Sequence, residues 1–196
     1  ACLSDEAAQS AVTDGVLMST GYSYLNCRLL TKMAELLGRT ADAEKYRALG
    51  EKVRAAYLAK WLDPETGIVE RGSQGAQAFS LWLGIVPEED RVRAAKKLRD
   101  DLVSAGYAFT TGNLCTRYLM DALTENGYVD DAWRLITREE YPSIGYMLQQ
   151  EATTIWERFE LKKTPGMNSH NHPMYGAVGY WFYAYIAGVR PTAPGF

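Results

Sequence analysis

Long apolar runs and stretches of one charge sign are both missing from this chain. Lys and Arg number 21 against 24 Asp and Glu, and the formal net charge is −3. Binding to nucleic acid needs clustered basic residues, so we expect no nucleic acid partner. No run approaches the roughly 20 apolar residues that span a bilayer, and no signal-peptide pattern is present, so no membrane partner is expected. The chain begins at Ala1 rather than at a methionine, which leaves its compartment open.

Cysteine and histidine are scarce, which limits disulfide and metal chemistry. Cys2, Cys27 and Cys115 are odd in number and lack CxxC spacing, so we predict buried or incidental thiols and no disulfide framework. This slightly favours a reducing compartment, the cytoplasm. His170 and His172 lie two residues apart without a third ligand at a suitable spacing, so no metal site is predicted. Nucleotide-binding, serine-hydrolase and zinc-protease motifs are missing, and no cofactor is expected.

The apolar residues that are present recur with helical spacing. A chain of 196 residues with 47% hydrophobic content fits one helical domain, 1–196. In the clearest helix, Tyr46, Leu49 and Val53 recur three or four apart, and Thr40 is the expected N-cap. The segments predicted as helices are 16–37, closed by a glycine at 38, then 41–61, 73–84, 87–103, 114–125, 130–138, a short helix from about 152, and 175–187.

These predicted helices are of two kinds. Those at 41–61 and 87–103 have one apolar face, which in the second contains Val92, Leu98 and Leu102. Others, including 73–84, are apolar or small on every side. Alternation of half-exposed and buried helices predicts two concentric layers. The expected fold class is therefore all-α, with helical hairpins that form part of an α/α toroid.

Carboxylate, aromatic and histidine side chains are concentrated in segments 151–158 and 168–176. Aromatic rings stack on the apolar face of a pyranose, and a carboxylate can activate a water, so this combination is typical of a sugar site. Glu157 can be interpreted as a general base that takes a proton from the attacking water. It can equally be a surface carboxylate that pairs with Arg158 or a lysine. The residue types alone leave both interpretations open.

The residues around Glu157 have their own alternatives. His172 is predicted to bind a hydroxyl group, since Pro173 keeps its loop out of a helix. Glu151 lies six residues before Glu157, about 600° along a helix, which would place the two on opposite faces, so we do not expect it to be the second acid. Trp156 neighbours the candidate base and is therefore predicted to be a site residue. The other tryptophans are expected in the core; they are Trp61, Trp82, Trp133 and Trp181.

Four ordered motifs resemble a known family. They are TTGN at 110–113, YPSIGYM at 141–147, ATTIWER at 152–158 and SHNHPMYGAV at 169–178. Together they are similar to the second half of the catalytic domain of bacterial α-L-rhamnosidases, the inverting glycoside hydrolases of family 78. The resemblance implies an (α/α)6 barrel, a rhamnoside substrate, Glu157 as general base and His172 as a sugar contact. Trp156, Tyr146 and Asn171 lie in the same motifs and are predicted as further substrate-binding residues.

Two departures from the family pattern bear on activity. The usual motif has Gly where this chain has Glu151, which adds charge near the base. The family's general acid lies in a motif of the type DCPxRxExxGW, and nothing like it occurs here. We therefore expect a fragment, about the C-terminal half of a catalytic barrel, that is weakly active or inactive alone.

A partial barrel would expose inner helices, and that surface has to be covered. The missing N-terminal half or a second copy in a homodimer are the expected partners. The alternative to an enzyme is a non-catalytic helical module, possibly dimeric, that binds sugar or serves as a scaffold.

Overall fold

The computed structural model describes residues 13–163 and 169–192, and over these ranges the protein is helical. The helices are α1 (Gly15–Leu36), α2 (Thr40–Trp61), α3 (Gln74–Leu83), α4 (Glu88–Ser104), α5 (Asn113–Glu125), α6 (Val129–Ile136), α7 (Ile144–Gln149), α8 (Pro173–Gly176) and α9 (Val178–Trp181), followed by a π-helical turn at Phe182–Ile186. Within these ranges the one isolated strand-type pairing is an antiparallel bridge between Leu62 and Val69. None of the described helices is long and apolar enough to cross a membrane.

Short polar side chains fix where the inner helices begin. Asp14 accepts the N–H of Val16 at 2.8 Å, and Ser73 accepts the N–H of Ala76 at 3.2 Å. Each bond satisfies a donor in the first turn that has no partner within its helix. After α1, Gly38 takes φ +67, a conformation that glycine adopts without strain, so the predicted end of this helix is confirmed.

Three predicted boundaries are wrong. Thr40 is the first residue of α2, and the N-cap is Arg39, whose side chain makes no capping bond. The short helix expected from about 152 lies earlier, at α7, because Ser143 caps it by accepting the N–H of Tyr146 at 2.9 Å. The helix expected at 175–187 is divided into α8, α9 and the π-helical turn, and glycines at 176 and 179 weaken helical bonding there.

The helices form two layers. Nine of the ten residues of α3 are buried, whereas α2 buries four of 22 and α4 five of 17. Helix α1 packs against α2 and α3, α3 against α4 and α5, and α5 against α6, α8 and α9. Helices α1, α3, α5 and α9 therefore stand side by side as an inner layer, with α2, α4 and α6 outside. This confirms the all-α fold and the partial α/α toroid.

The inner helices approach each other closely. A Cβ on Gly21 of α1 would lie 2.4 Å from Phe79 Cε1 of α3, so only glycine permits this spacing. Phe79 packs on Tyr118 of α5, with ring centroids 5.3 Å apart, and Tyr118 packs on Trp82 at 4.2 Å. An aromatic core thus joins α1, α3 and α5.

Some predicted core positions are corrected. Val92 is 76% exposed, because the buried stripe of α4 contains Ala94 instead, beside Leu98 and Leu102. Trp133, expected in the core, is 48% exposed on α6. The cysteines at 27 and 115 are buried free thiols as predicted, while Cys2 lies outside the described residues.

Candidate active site

The inner helices begin at the same end of the layer, and this end carries the candidate site. The hydroxyl groups of Thr13 and Ser73 lie 2.9 Å apart, which brings the start of α1 to the start of α3. Gln74, the first residue of α3, donates from Nε2 to Ala108 O at 3.2 Å and accepts the N–H of Thr110 at Oε1 at 3.1 Å. The segment that leads into α5 is therefore fixed to the start of α3.

Buried aromatic rings attach the Glu157 segment to this same end. Phe109 precedes α5, and its ring lies 5.3 Å from that of Phe159, two residues after Glu157. Phe159 in turn packs on Tyr175 of α8, with ring centroids 4.5 Å apart. These buried contacts place Glu157 next to the starts of α5 and α8.

Two irregular segments pair beside these rings. His172 donates its N–H to Ile155 O at 2.9 Å, and Glu157 donates its N–H to Ser169 O at 2.9 Å. Thr154 Oγ1 also donates to the carbonyl of His170. The two motifs that carry most of the predicted site residues are thereby held together, although neither is helical along this pairing.

The Glu157 carboxylate is half-buried and held at one oxygen. Its Oε2 accepts the N–H of Ser169 at 2.9 Å. Arg158, considered above as a surface partner for Glu157, pairs with Glu160 instead, and Lys162 lies 3.7 Å from the same Glu160 carboxylate. Among the described residues Glu157 forms no ion pair, so no described cation neutralises its charge. A carboxylate in this arrangement can accept a proton from a water.

The predicted sugar contacts lie in different surroundings. His172 caps α8, where its Nδ1 accepts the N–H of Met174 at 3.4 Å; the neutral ring then carries its proton on Nε2, as a donor. Asn171 is exposed in the same segment. Trp156 is 4% exposed and packs against the ring of His170, 4.9 Å away. Tyr146 belongs to a separate element, α7, where it is half-buried.

Glu151 has a structural position at the end of α7. Its N–H donates to Leu148 O and the next N–H, of Ala152, donates to Met147 O, both at 3.0 Å. This is the pair of bonds that ends many helices in a left-handed residue, usually glycine. Glu151 takes φ +61 there, so the position itself favours the Gly expected from the family pattern. Because no helix connects Glu151 to Glu157, the argument from opposite helix faces does not apply.

One titratable residue was missed in the sequence. Asp121, in the middle of α5, is 4% exposed, and burial raises its pKa from 3.8 to about 6, with the nearby charge of Glu125 adding to the effect. Arg117 and Arg190 oppose the shift, and Trp82 donates a hydrogen bond to the carboxylate. The only available signal was an acidic residue within the apolar face of α5.

Comparison with known proteins places this geometry in a family. A family model described as the bacterial alpha-L-rhamnosidase 6 hairpin glycosidase domain matches residues 3–186. The α-L-rhamnosidase of Alteromonas sp. (strain LOR) is 35% identical over 191 residues, which cover 94% of this chain and 21% of that protein. The chain spans about a fifth of the length of such curated relatives.

Solved structures agree with this match. The α-L-rhamnosidase from Dictyoglumus thermophilum superimposes with a TM-score of 0.85 at 41% identity, over 89% of this chain and 20% of that one. The Streptomyces avermitilis α-L-rhamnosidase, solved in complex with L-rhamnose, gives a TM-score of 0.86 at 34% identity, over 92% of this chain and 18% of that one. The two-layer helical arrangement described above is thus shared with both enzymes.

Proposed function

Because the chain belongs to the bacterial α-L-rhamnosidase six-hairpin glycosidase family, we propose that it supplies the general-base side of an active site that hydrolyses terminal α-L-rhamnosides. The observation that carries this proposal is the Glu157 carboxylate, which is fixed at Oε2 by the Ser169 N–H and forms no ion pair with any described residue. A carboxylate that is held but not neutralised by a cation keeps its capacity to accept a proton.

The proposed reaction is an inverting hydrolysis. A water gives a proton to Glu157 while its oxygen forms a bond to the anomeric carbon. The glycosidic carbon–oxygen bond breaks, and the leaving oxygen takes a proton from a general acid. In inverting glycosidases the two carboxyl groups lie roughly 6.5–9.5 Å apart, which leaves room for the water. We assign no residue of this chain to the general acid, so the reaction is proposed for a form of the protein that carries one.

The sugar contacts are proposed from the same segments. His172 offers Nε2–H as a hydroxyl partner, since its Nδ1 is bound to the N–H of Met174. Asn171 is exposed beside it, and Tyr146 remains a predicted contact from α7. A sugar contact by Trp156 also stays a prediction. Because only 4% of this residue is exposed, such a contact would involve a small part of the ring.

The described residues also leave apolar surface on the first inner helix, α1. Val16 is 56% exposed and Met33 54%. We propose that the rest of a ring covers this face, as the six-hairpin family description implies, and that all described residues form part of one domain. A second copy of the chain is the competing partner. Sedimentation of the chain distinguishes the two hypotheses, because a homodimer is expected only if a second copy covers α1.

The test of the base is Glu157→Gln in a longer form of the protein that hydrolyses an aryl rhamnoside. Removing a general base costs about 10²–10⁴-fold in rate, so kcat should fall at least about 100-fold. Glu51→Gln is the matched control: it makes the same chemical change at an exposed position on α2, outside the four motifs, and should leave kcat near the parental value. Near-parental activity of Glu157→Gln would remove Glu157 from the base role.

Titration of the chain with L-rhamnose tests the non-catalytic alternative. If longer forms of the protein that include a general acid bind L-rhamnose but do not hydrolyse the aryl rhamnoside, a sugar-binding module is favoured. The absence of both binding and turnover in those forms favours a scaffold.

A further inference from the structure

Two ring contacts join the segments of the site: Phe159 packs on Tyr175, and Trp156 packs on His170. Trp156 directly precedes Glu157, and His170 directly follows Ser169, which holds the Glu157 carboxylate. The Trp156 and His170 rings lie 4.9 Å apart at 33°. The Trp156–His170 contact therefore lies immediately beside the bond from the Ser169 N–H to Glu157 Oε2.

The contacts that hold these segments together are few. Between the described residues they comprise the Trp156–His170 and Phe159–Tyr175 ring contacts, the two backbone bonds, the bond to the carboxylate and the bond from Thr154 Oγ1 to the carbonyl of His170. The net contribution of a hydrogen bond and that of a contact between aromatic rings are similar in size. The Trp156–His170 contact is therefore comparable with each hydrogen bond, and its loss would weaken the attachment of the part of the segment that carries the Ser169 N–H.

A general base is effective only when its oxygen is held near the attacking water, and small displacements cost large factors in rate. Glu157 has one oxygen held by Ser169, so the position of Ser169 determines where the other oxygen lies. His170 is exposed and contacts a ring that is almost completely buried. Its side chain is thus placed to fix segment 169–172 against Trp156.

We infer that His170 is a positioning residue for Glu157, which it aligns through Trp156 and the Ser169 N–H without contacting the sugar. This rests on the proposed function, since it presupposes that Glu157 is the base. His172 has a different proposed role, as a sugar contact, because its Nδ1 caps α8 and Nε2 is the ring nitrogen that can donate.

The experiment compares His170→Ala with His170→Phe in the form of the protein that hydrolyses an aryl rhamnoside. His170→Ala removes the ring, and kcat should fall about tenfold, the equivalent of roughly 1.4 kcal/mol, with KM within twofold of the parent. His170→Phe keeps a ring against Trp156 and should restore kcat to within about threefold. Lys163→Ala, which shortens an exposed side chain outside the four motifs, is the control and should leave both constants unchanged.

A double variant separates positioning from general loss of structure. In the Glu157→Gln background there is no base left to align, so His170→Ala should cause little further loss. A full additional tenfold loss there, a rise in KM, or a His170→Phe variant as defective as His170→Ala would overturn the inference while leaving the proposed function intact. Near-parental Glu157→Gln activity would instead overturn the proposed function, and the inference with it.

Discussion

We expect Asp121 to destabilise the folded protein at neutral pH, and its replacement by Asn measures by how much. The side chain is almost fully buried on α5, where it accepts a hydrogen bond from Trp82. The charge of Glu125 disfavours its ionised form, and Arg117 and Arg190 compensate only in part. Asparagine keeps the shape and an acceptor oxygen for Trp82 but never ionises.

The sign follows from the two pKa values. The folded pKa of Asp121 is about 6 and the unfolded reference is 3.8, so the folded state binds this proton more tightly. Stability from this group is full below pH 3.8, falls as the pH rises through about 6, and stays low above it. At about 1.4 kcal/mol per pKa unit, the cost at neutral pH is on the order of 2 kcal/mol once partial screening by water is allowed for. Asp121→Asn should remove most of this cost at pH 7.5 and almost none at pH 4.

Urea unfolding, followed by tryptophan fluorescence at pH 4, 5, 6 and 7.5, measures this difference. The gain in free energy of unfolding of Asp121→Asn should grow between pH 4 and 6 and then level off. Glu51→Gln, which changes an exposed carboxylate in the middle of α2, should show no such dependence. An Asp121→Asn variant less stable than the parent at pH 7.5, or equally stabilised at every pH, would refute the reasoning.

Two further predictions use the same unfolding assay. Glu151→Gly should raise the free energy of unfolding by about 0.5–1 kcal/mol, because it relieves the left-handed conformation at φ +61, whereas Glu151→Ala keeps the Cβ and should give no gain. Gln77→Leu should lower it by at least about 3 kcal/mol, because this buried amide is the hydrogen-bond partner of Val69 N–H, Gly67 O and Ala94 O. An unchanged midpoint in Gln77→Leu would show that water replaces the amide.

The layers of the fold could be predicted because burial repeats along each helix. Segments that are small or apolar on every side became α3, and segments with one apolar face became α2 and α4. The sequence did not predict which face of α4 is buried, because Ala94 and Val92 are both apolar and packing against α3 decides which of the two is buried. Trp133 was misplaced for a similar reason: its ring contacts Trp181 from the outer layer and remains half exposed.

The candidate site could be predicted in its residues but not in its geometry. The motifs predicted Glu157 and His172 as site residues. They did not predict the bond from the Ser169 N–H to the carboxylate, because it joins residues twelve apart through irregular chain. Helical periodicity carries no information about such a pairing. The left-handed position of Glu151 was equally hidden, because nothing local in the sequence marks a glutamate as occupying a site that suits glycine.

The Gln74 amide has a consequence for redesign of the proposed site. It lies completely buried, and among the described residues it binds main-chain atoms only, the carbonyl of Ala108 and the N–H of Thr110. The path of the loop before α5 is therefore fixed by a side chain on α3 together with the loop's own buried Phe109. Libraries that randomise positions 108 and 110 can vary the chemistry of this rim while the loop keeps its course, provided that proline is left out at 110, where the N–H is needed.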